Sequence, residues 1–391
     1  MDKTIIVGNV ADNHFAEDIA SHLNQSTNYS DLISLKVFLN TEFCPRFIPE
    51  NKDLINIGRK LNNKDILIVS TSFGQFSRNE LAMRNFLIAR AARDNGANRI
   101  ILLEPDLYYS AQDRGPNPGQ GIVKHKRDVE DFKKFDGQAF SSRLYADLLK
   151  EAGIDEVVTV HNHSFSVKNI FRDRFKGKFY NILPSSVYAN YILDSDIVNQ
   201  KDDLVICAPD EGAYEFAREV KKKINNKNTK LLIMSKKRMG ERDVSIDVSE
   251  KSTMDISCVK GKNVIVVDDM VRTGSTIVNC CNLLKKENPA KIIFFVTHFY
   301  ASHEGRINMN DPSIDEIVTT DTIPQILNRD MRGRLRHKLV VLRISRWIAS
   351  HLMQTLGGDS VPDKRALYIE DMSSKNPRWK GKLGPLFSSN Y

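Results

Sequence analysis

Short apolar runs recur along the whole chain and predict strands at Thr4–Val7, Ile66–Ser70, Arg99–Leu103, Glu156–Val160, Leu204–Ala208, Lys230–Ile233, Asn263–Val267, Lys291–Thr297, Glu316–Thr319 and Lys338–Leu342. Between several of them the apolar positions recur at helical spacing, over Glu80–Asn95, Ala139–Ala152, Tyr214–Asn225 and Thr276–Asn288. Strands that alternate with helices predict α/β architecture with mainly parallel sheets. Several strands run into polar, Gly-rich or acidic loops, and ligands of such sheets bind at the carboxyl ends of the strands.

The alternation occurs twice, without evident sequence identity between the halves. Two α/β domains are expected, over 1–164 and 165–343, with a C-terminal helix and tail over 344–391. Gly115–Gly137 is polar and punctuated by Gly and Pro, which predicts a long inserted loop before a helix. Gly357–Tyr391, rich in Gly, Pro, Ser and Lys with isolated aromatics, reads as a tail on the surface.

Composition narrows the partners. A chain of 391 residues, 41% hydrophobic and 27% charged, has the profile of a two- or three-domain globular protein. Its net charge of +8 suits anionic ligands such as phosphates. No basic arm or DNA-reading motif is present, so no nucleic-acid partner is expected. Lys221, Lys222 and Lys223 read as a solvated helix face. Cys44, Cys207, Cys258, Cys280 and Cys281 lack zinc-site spacing and read as free thiols in a reducing cytoplasm. The first residues, MDKTIIVGNVADN, lack a signal-peptide core, and no apolar run approaches the ~18 residues of a membrane span. The chain is expected in the cytoplasm, off the membrane.

The strongest chemical signal is NVIVVDDMVRTGSTI, Asn263–Ile277. An apolar run ends in adjacent acids, Asp268 and Asp269, and a small-residue turn of Thr273, Gly274, Ser275 and Thr276 opens a helix. Consecutive backbone N–H groups at a helix N-terminus hold a phosphate, and small residues let the backbone approach it. Hydroxyls add donors, and twin carboxylates can accept from ribose hydroxyls. A helix cap after a buried strand explains the Thr and Gly but leaves the paired acids without a reason.

This segment resembles the signature shared by type I phosphoribosyltransferases and phosphoribosyl diphosphate (PRPP) synthetases. Further segments, in order, resemble the synthetases over most of residues 4–345, so the expected fold is two type I phosphoribosyltransferase-like domains with mainly parallel sheets. VICAPDEGAYEFA (Val205–Ala217) resembles their diphosphate-binding loop, which gives Asp210, Glu211 and Gly212 that role and Asp210 a share in holding Mg²⁺. LLIMSKKRMGERDVSI (Leu231–Ile246) resembles the flexible catalytic loop, with Lys236 and Arg238 at the catalytic positions, and the spacing with Gly240 and Arg242 is nearest the phosphate-independent, plant-type class. In VVTVHNHSF (Val157–Phe165) the family's Asp-x-His becomes His161-Asn162-His163, so His163 takes the metal-positioning role. Two histidines two apart in an extended stretch share a face.

VFLNTEFCPRF (Val37–Phe47) resembles a loop of the family's ATP site, with Phe38 on adenine and Asn40 and Glu42 at its edge or ordering the neighbouring subunit. PDLYYSAQDRG (Pro105–Gly115) resembles a second ATP loop through Tyr109, Gln112 and Asp113. Ala111 stands where the family has an arginine, and Arg114 is the candidate to supply that charge. Arg272 replaces the acid usual before the ribose-phosphate turn, so a cation flanks the cradle.

The resemblance implies diphosphate transfer from Mg²⁺-bound ATP to the 1-hydroxyl of ribose 5-phosphate, in a homo-oligomer. Rival readings are the same chemistry on ADP-ribose, a non-catalytic regulatory subunit, and a PRPP-consuming phosphoribosyltransferase. Lys236, Arg238 and the intact acid pair weigh against the regulatory subunit, and the duplicated architecture against the last.

Overall fold

The structure, a computed structural model, describes residues 3–23, 32–49, 52–122, 127–162, 164–195, 197–198, 203–238, 244–356 and 370–371, and of 236–238, 244–245, 329, 331 and 370–371 only the backbone. The chain divides into two compact units, Met1–Ile182 with Ile348–Val361, and Leu183–Trp347 with Pro362–Tyr391.

In the first unit the described strands are β1 (Thr4–Gly8), β2 (Ile33–Val37), β3 (Phe43–Phe47), β4 (Asp65–Val69), β5 (Arg99–Leu103), β6 (Glu156–Val160) and β7 (Phe179–Ile182). Five of them form one parallel sheet in the order β1-β4-β5-β6-β7, while β2 and β3 make a separate antiparallel hairpin. Ile66–Val69 and Ile100–Leu103 are solvent-free, as central strands of a covered sheet must be. Helix Arg78–Asp94 starts in a capping box: Ser77 Oγ accepts from the Glu80 N–H at 3.2 Å, and the Glu80 carboxylate accepts from the Ser77 N–H at 2.7 Å. The same helix carries a buried arginine, Arg84, whose guanidinium lies 4.3 Å from the ring centre of Phe43 and 4.2 Å from that of Phe76. This sandwich ties the hairpin to the helix.

The second unit holds β8 (Leu204–Ala208), β9 (Lys230–Arg238), β10 (Val244–Val248), β11 (Asn263–Val271), β12 (Lys291–Phe299), β13 (Glu316–Thr320), β14 (Leu339–Arg343) and β15 (Glu370–Asp371). They form one sheet, β10-β9-β8-β11-β12-β13-β14-β15, parallel except at its two ends. Helix Ser275–Lys286 buries Ile277, Cys280, Cys281 and Leu284, a stripe at helical spacing, against this sheet's core. All five cysteines are free, and of these Cys207, Cys280 and Cys281 are buried in that core.

Every strand and helix expected from the apolar pattern is present. The break between units falls at Ile182 rather than at 164, because β7 pairs in parallel with β6, Val158 opposite Tyr180, and so closes the first sheet. β7 is an edge strand with only Phe179 buried, and its pattern is correspondingly faint. The hairpin strands β2 and β3 and the returning strand β10 are also half-exposed additions. The inserted segment 115–137 includes a short helix, Val129–Lys133, capped by Asp128. Of the expected tail, only β15 lies within the described residues, paired with β14. No described helix is long and apolar enough to cross a membrane.

Candidate functional site

β11 continues past its apolar stretch to Val271, carrying Asp268 and Asp269 in its last, half-buried turn of strand. The Asp268 carboxylate accepts from the Asp269 N–H at 2.9 Å, and the Asp269 carboxylate from the Met270 N–H at 2.7 Å. Arg272 and Thr273 are exposed, and Gly274 then takes a left-handed conformation, φ 83°, at the N-cap of helix Ser275–Lys286. Glycine suits the left-handed conformation, which disfavours side chains, and a Cβ would also displace the end of Met309, whose Cε would lie 2.7 Å away. Gly274 has no side chain to cap the first turn of the helix.

The back of this turn is held by helix His303–Met309 and its cap. Ser302 Oγ donates to the Arg272 carbonyl at 2.9 Å, and Asn308 Nδ2 donates to the Thr273 carbonyl at 2.8 Å. A Cβ on Gly305 would stand 2.5 Å from the same Arg272 oxygen. No motif marks these contacts, which join residues some thirty positions apart.

β8 pairs with β11, Ile206 opposite Ile265, so the loops following both strands emerge on one sheet edge. Asp210 Oδ1 accepts from the N–H groups of Gly212 at 2.8 Å and Ala213 at 3.2 Å, shaping that loop. Burial, then the charges of Asp269 and Asp210, hold the Asp268 carboxyl well above the usual carboxylate range. Three acids, Asp210, Asp268 and Asp269, thus share one end of the sheet. Glu211 faces elsewhere: it accepts from Ser249 Oγ at 2.8 Å and pairs with Lys251, bracing the segment that follows β10. Among the described residues no three His, Cys, Asp or Glu side chains form a metal cage.

β9 forms a hairpin with β10 in place of the expected short strand and loop. Ala208, the last residue of β8, pairs with Ile233, and β9 runs on to Arg238. Positions 236 and 238, opposite Ile246 and Val244, therefore project past the carboxyl edge of the sheet. Gly240 and Arg242 lie outside the described residues, as do the side chains of Lys236 and Arg238.

In the first unit Phe38, Asn40 and Glu42 form the tip of the β2–β3 hairpin, closed by bonds from the Phe38 N–H to the Glu42 carbonyl and from the Glu42 N–H to Asn40 Oδ1. Phe38 is 43% exposed, with Lys36 Nζ 4.8 Å from its ring centre. Tyr109, Gln112 and Asp113 share the loop after β5. Tyr109 is left-handed, φ 59°, and its hydroxyl donates to Asn79 Oδ1 at 2.6 Å. Gln112 is exposed and Asp113 buried.

Arg114 does not present a spare charge: its guanidinium bonds Asp131 at 3.2 Å, lies 3.5 Å from Asp113 and covers the Phe135 ring at 4.5 Å. Arg127 grips the other oxygen of Asp131 at 2.6 Å and donates to the carbonyls of Gln120 and Gly115. The two arginines fold the inserted segment around one buried carboxylate. His163 lies outside the described residues. His161 is buried with a left-handed backbone, φ 44°, so the extended stretch assumed for the two histidines ends at Val160.

Glu104, just past the carboxyl end of β5, belongs to none of the motifs. It is solvent-free, accepting from Tyr145 Oη at 2.9 Å, Ser70 Oγ at 3.0 Å, Asn85 Nδ2 at 3.0 Å and the Tyr108 N–H at 2.9 Å. Burial pushes its carboxyl up to about 7. The clue was in plain view, an acid closing an apolar run just as Asp268 does.

A family profile described as "Phosphoribosyl transferase domain" matches residues 188–329, the stretch that includes the turn after Asp268 and Asp269. The ribose-phosphate pyrophosphokinase of Chromobacterium violaceum is 26% identical over 324 residues, covering 83% of this chain and 84% of that one. That of Mycoplasmopsis pulmonis is 29% identical over 319 residues, 81% and 86% of the two chains. The crystal structure of phosphoribosylpyrophosphate synthetase from Mycobacterium smegmatis superposes with a TM-score of 0.70 at 22% identity, covering 91% of this chain and 99% of that one. The chain therefore has the two-domain phosphoribosyltransferase-like fold of a phosphoribosylpyrophosphate synthetase, and in sequence it is a distant relative of the ribose-phosphate pyrophosphokinases.

Proposed function

We propose that this protein transfers the β,γ-diphosphate of ATP to the 1-hydroxyl of ribose 5-phosphate, giving phosphoribosyl diphosphate and AMP. One observation carries the reading: the turn after Asp268 and Asp269 joins twin acids to an uncapped helix N-terminus through the left-handed Gly274. The sugar's 5-phosphate occupies the N–H groups and hydroxyls of Thr273–Thr276, with Arg272 beside them, and the ribose hydroxyls donate to Asp268 and Asp269. The 1-hydroxyl oxygen attacks the β-phosphorus in line, the bond from that phosphorus to the α,β-bridging oxygen breaks, AMP leaves with the electron pair, and the hydroxyl proton passes to solvent water. Mg²⁺, when bound, neutralises phosphate charge, with Asp210 and His163 as candidate partners. Lys236 and Arg238 bring cationic charge to the transferring group from the hairpin beyond the sheet edge. Gly212 permits close approach of the diphosphate, while Glu211 keeps its loop and β10 together.

On the first unit, Phe38, Asn40, Glu42, Tyr109, Gln112 and Asp113 make the nucleotide loops, and Arg114 serves them by ordering the inserted segment. By analogy with the family the working form is a cytoplasmic homo-oligomer. The plant-type likeness rests on the Lys-x-Arg spacing.

Arg272, exposed at the cradle, favours trying a second acceptor with one more phosphate, ADP-ribose. Purified protein with ATP and Mg²⁺ is given ribose 5-phosphate, ADP-ribose or neither, and AMP release is followed. Release only with ribose 5-phosphate is expected. Release only with ADP-ribose reassigns the acceptor, and release with neither supports the regulatory-subunit reading.

A further inference from the structure

The turn that reads as the sugar-phosphate cradle is shaped from behind by a segment the motif does not include. Arg272, Thr273 and Gly274 are met in order by Ser302 with Gly305, by Asn308, and by Met309. Both hydrogen bonds end on main-chain carbonyls, so they set the orientation of peptide planes rather than of side chains.

That orientation matters because of amide geometry. In a trans peptide the C=O and the N–H of the same plane point in opposite directions, and no described peptide is cis. The plane holding the Arg272 carbonyl also holds the Thr273 N–H, and the plane holding the Thr273 carbonyl holds the Gly274 N–H. With both carbonyls turned toward residues 302–308, the N–H groups of Thr273 and Gly274 point away from that segment. Ser302 is fixed for this task, since its Oγ also accepts from the Gly305 N–H at 3.0 Å and so sits in the cap of its own helix. Gly305 admits the Arg272 oxygen where any side chain would collide with it.

We propose that Ser302 and Asn308 are positioning residues for sugar-phosphate binding: by holding the carbonyls of Arg272 and Thr273 they aim the N–H groups of Thr273 and Gly274 at the ligand's 5-phosphate. This rests on the reading of residues 272–276 as the sugar-phosphate cradle. Neither side chain touches the ligand, and both act through the main chain.

The test uses the full chain and calorimetric titration with ribose 5-phosphate, with inorganic phosphate as a second probe. Asn308→Asp is isosteric, removes the donor and sets a carboxylate against the Thr273 carbonyl. Ser302→Ala removes the other donor, and Ser302→Thr restores it. Asn308→Asp and Ser302→Ala are each expected to weaken ribose 5-phosphate binding roughly tenfold, the range of one lost hydrogen bond. Ser302→Thr should return wild-type affinity, and KM for ATP should stay unchanged in all three. Unchanged sugar-phosphate affinity in Asn308→Asp and Ser302→Ala would overturn the proposal while leaving the cradle intact. Equal losses for both substrates would also overturn it, since that marks a general structural role. Wild-type protein that bound neither probe would overturn the cradle as well.

Discussion

The carboxylate of Asp210, on the loop after β8, stands near enough to Asp268 at the end of β11 to oppose its ionisation. Two parallel neighbours in the sheet thus deliver like charges to one place, a destabilising arrangement unless a cation or hydroxyl donors complete it.

Divalent cation should therefore stabilise the folded protein. Mg²⁺ at about a hundred times its Kd is expected to add about 3 kcal/mol to the unfolding free energy. Chelator should reverse the gain, and Asp268→Asn should shrink it. A melting temperature indifferent to Mg²⁺ in the presence of ATP would contradict this account of the acid cluster.

Lys236→Ala should lower kcat by about a hundredfold or more while ribose 5-phosphate affinity holds, the pattern of an interaction made only in the transition state. Asp269→Asn should do the reverse, weakening sugar binding by roughly tenfold. Steady-state kinetics beside direct titration separates the two, and a normal kcat in Lys236→Ala removes that residue from the mechanism.

The elements and turns were legible in the sequence to different degrees for physical reasons. The central strands announce themselves because burial on both faces demands unbroken apolar runs, as in Ile66–Val69 and Val264–Val267. The half-exposed strands β2, β3, β7 and β10 carry no such demand, and the unit boundary was misplaced with β7. At the site, the acids and the Gly274 turn follow from local backbone chemistry and were readable. Ser302 and Asn308 act across the fold through hydrogen bonds to main chain, which constrain geometry without leaving a local pattern. Arg114 misled because a spare-looking arginine has a buried partner, Asp131, seventeen positions away.

Asp131→Asn should loosen the inserted segment, since Arg114 and Arg127 both close on that carboxylate. Limited proteolysis is expected to nick residues 115–137 sooner than in wild type, with cleavage elsewhere unchanged. Equal nicking rates would show that the arginines do not order the segment.

Glu104 makes stability depend on pH with a definite sign. Its carboxyl lies at about 7 when folded, against an ordinary 4.5. Between those values the folded protein keeps a proton that the unfolded chain has released. The stabilisation is full below the lower value and lost as pH rises through the upper one, by up to about 3 kcal/mol. Urea unfolding of wild type and Glu104→Gln at about pH 5 and about pH 8 should show the variant losing less stability across that window. Parallel losses would mean Glu104 titrates normally.

Because the turn of residues 272–274 is gripped by its carbonyls, its geometry is uncoupled from the identity of the side chains at 272 and 273. Those two positions can be randomised in a selection for new acceptors without rebuilding the loop. Substitution there is expected to change what the turn presents to solvent while leaving its backbone in place.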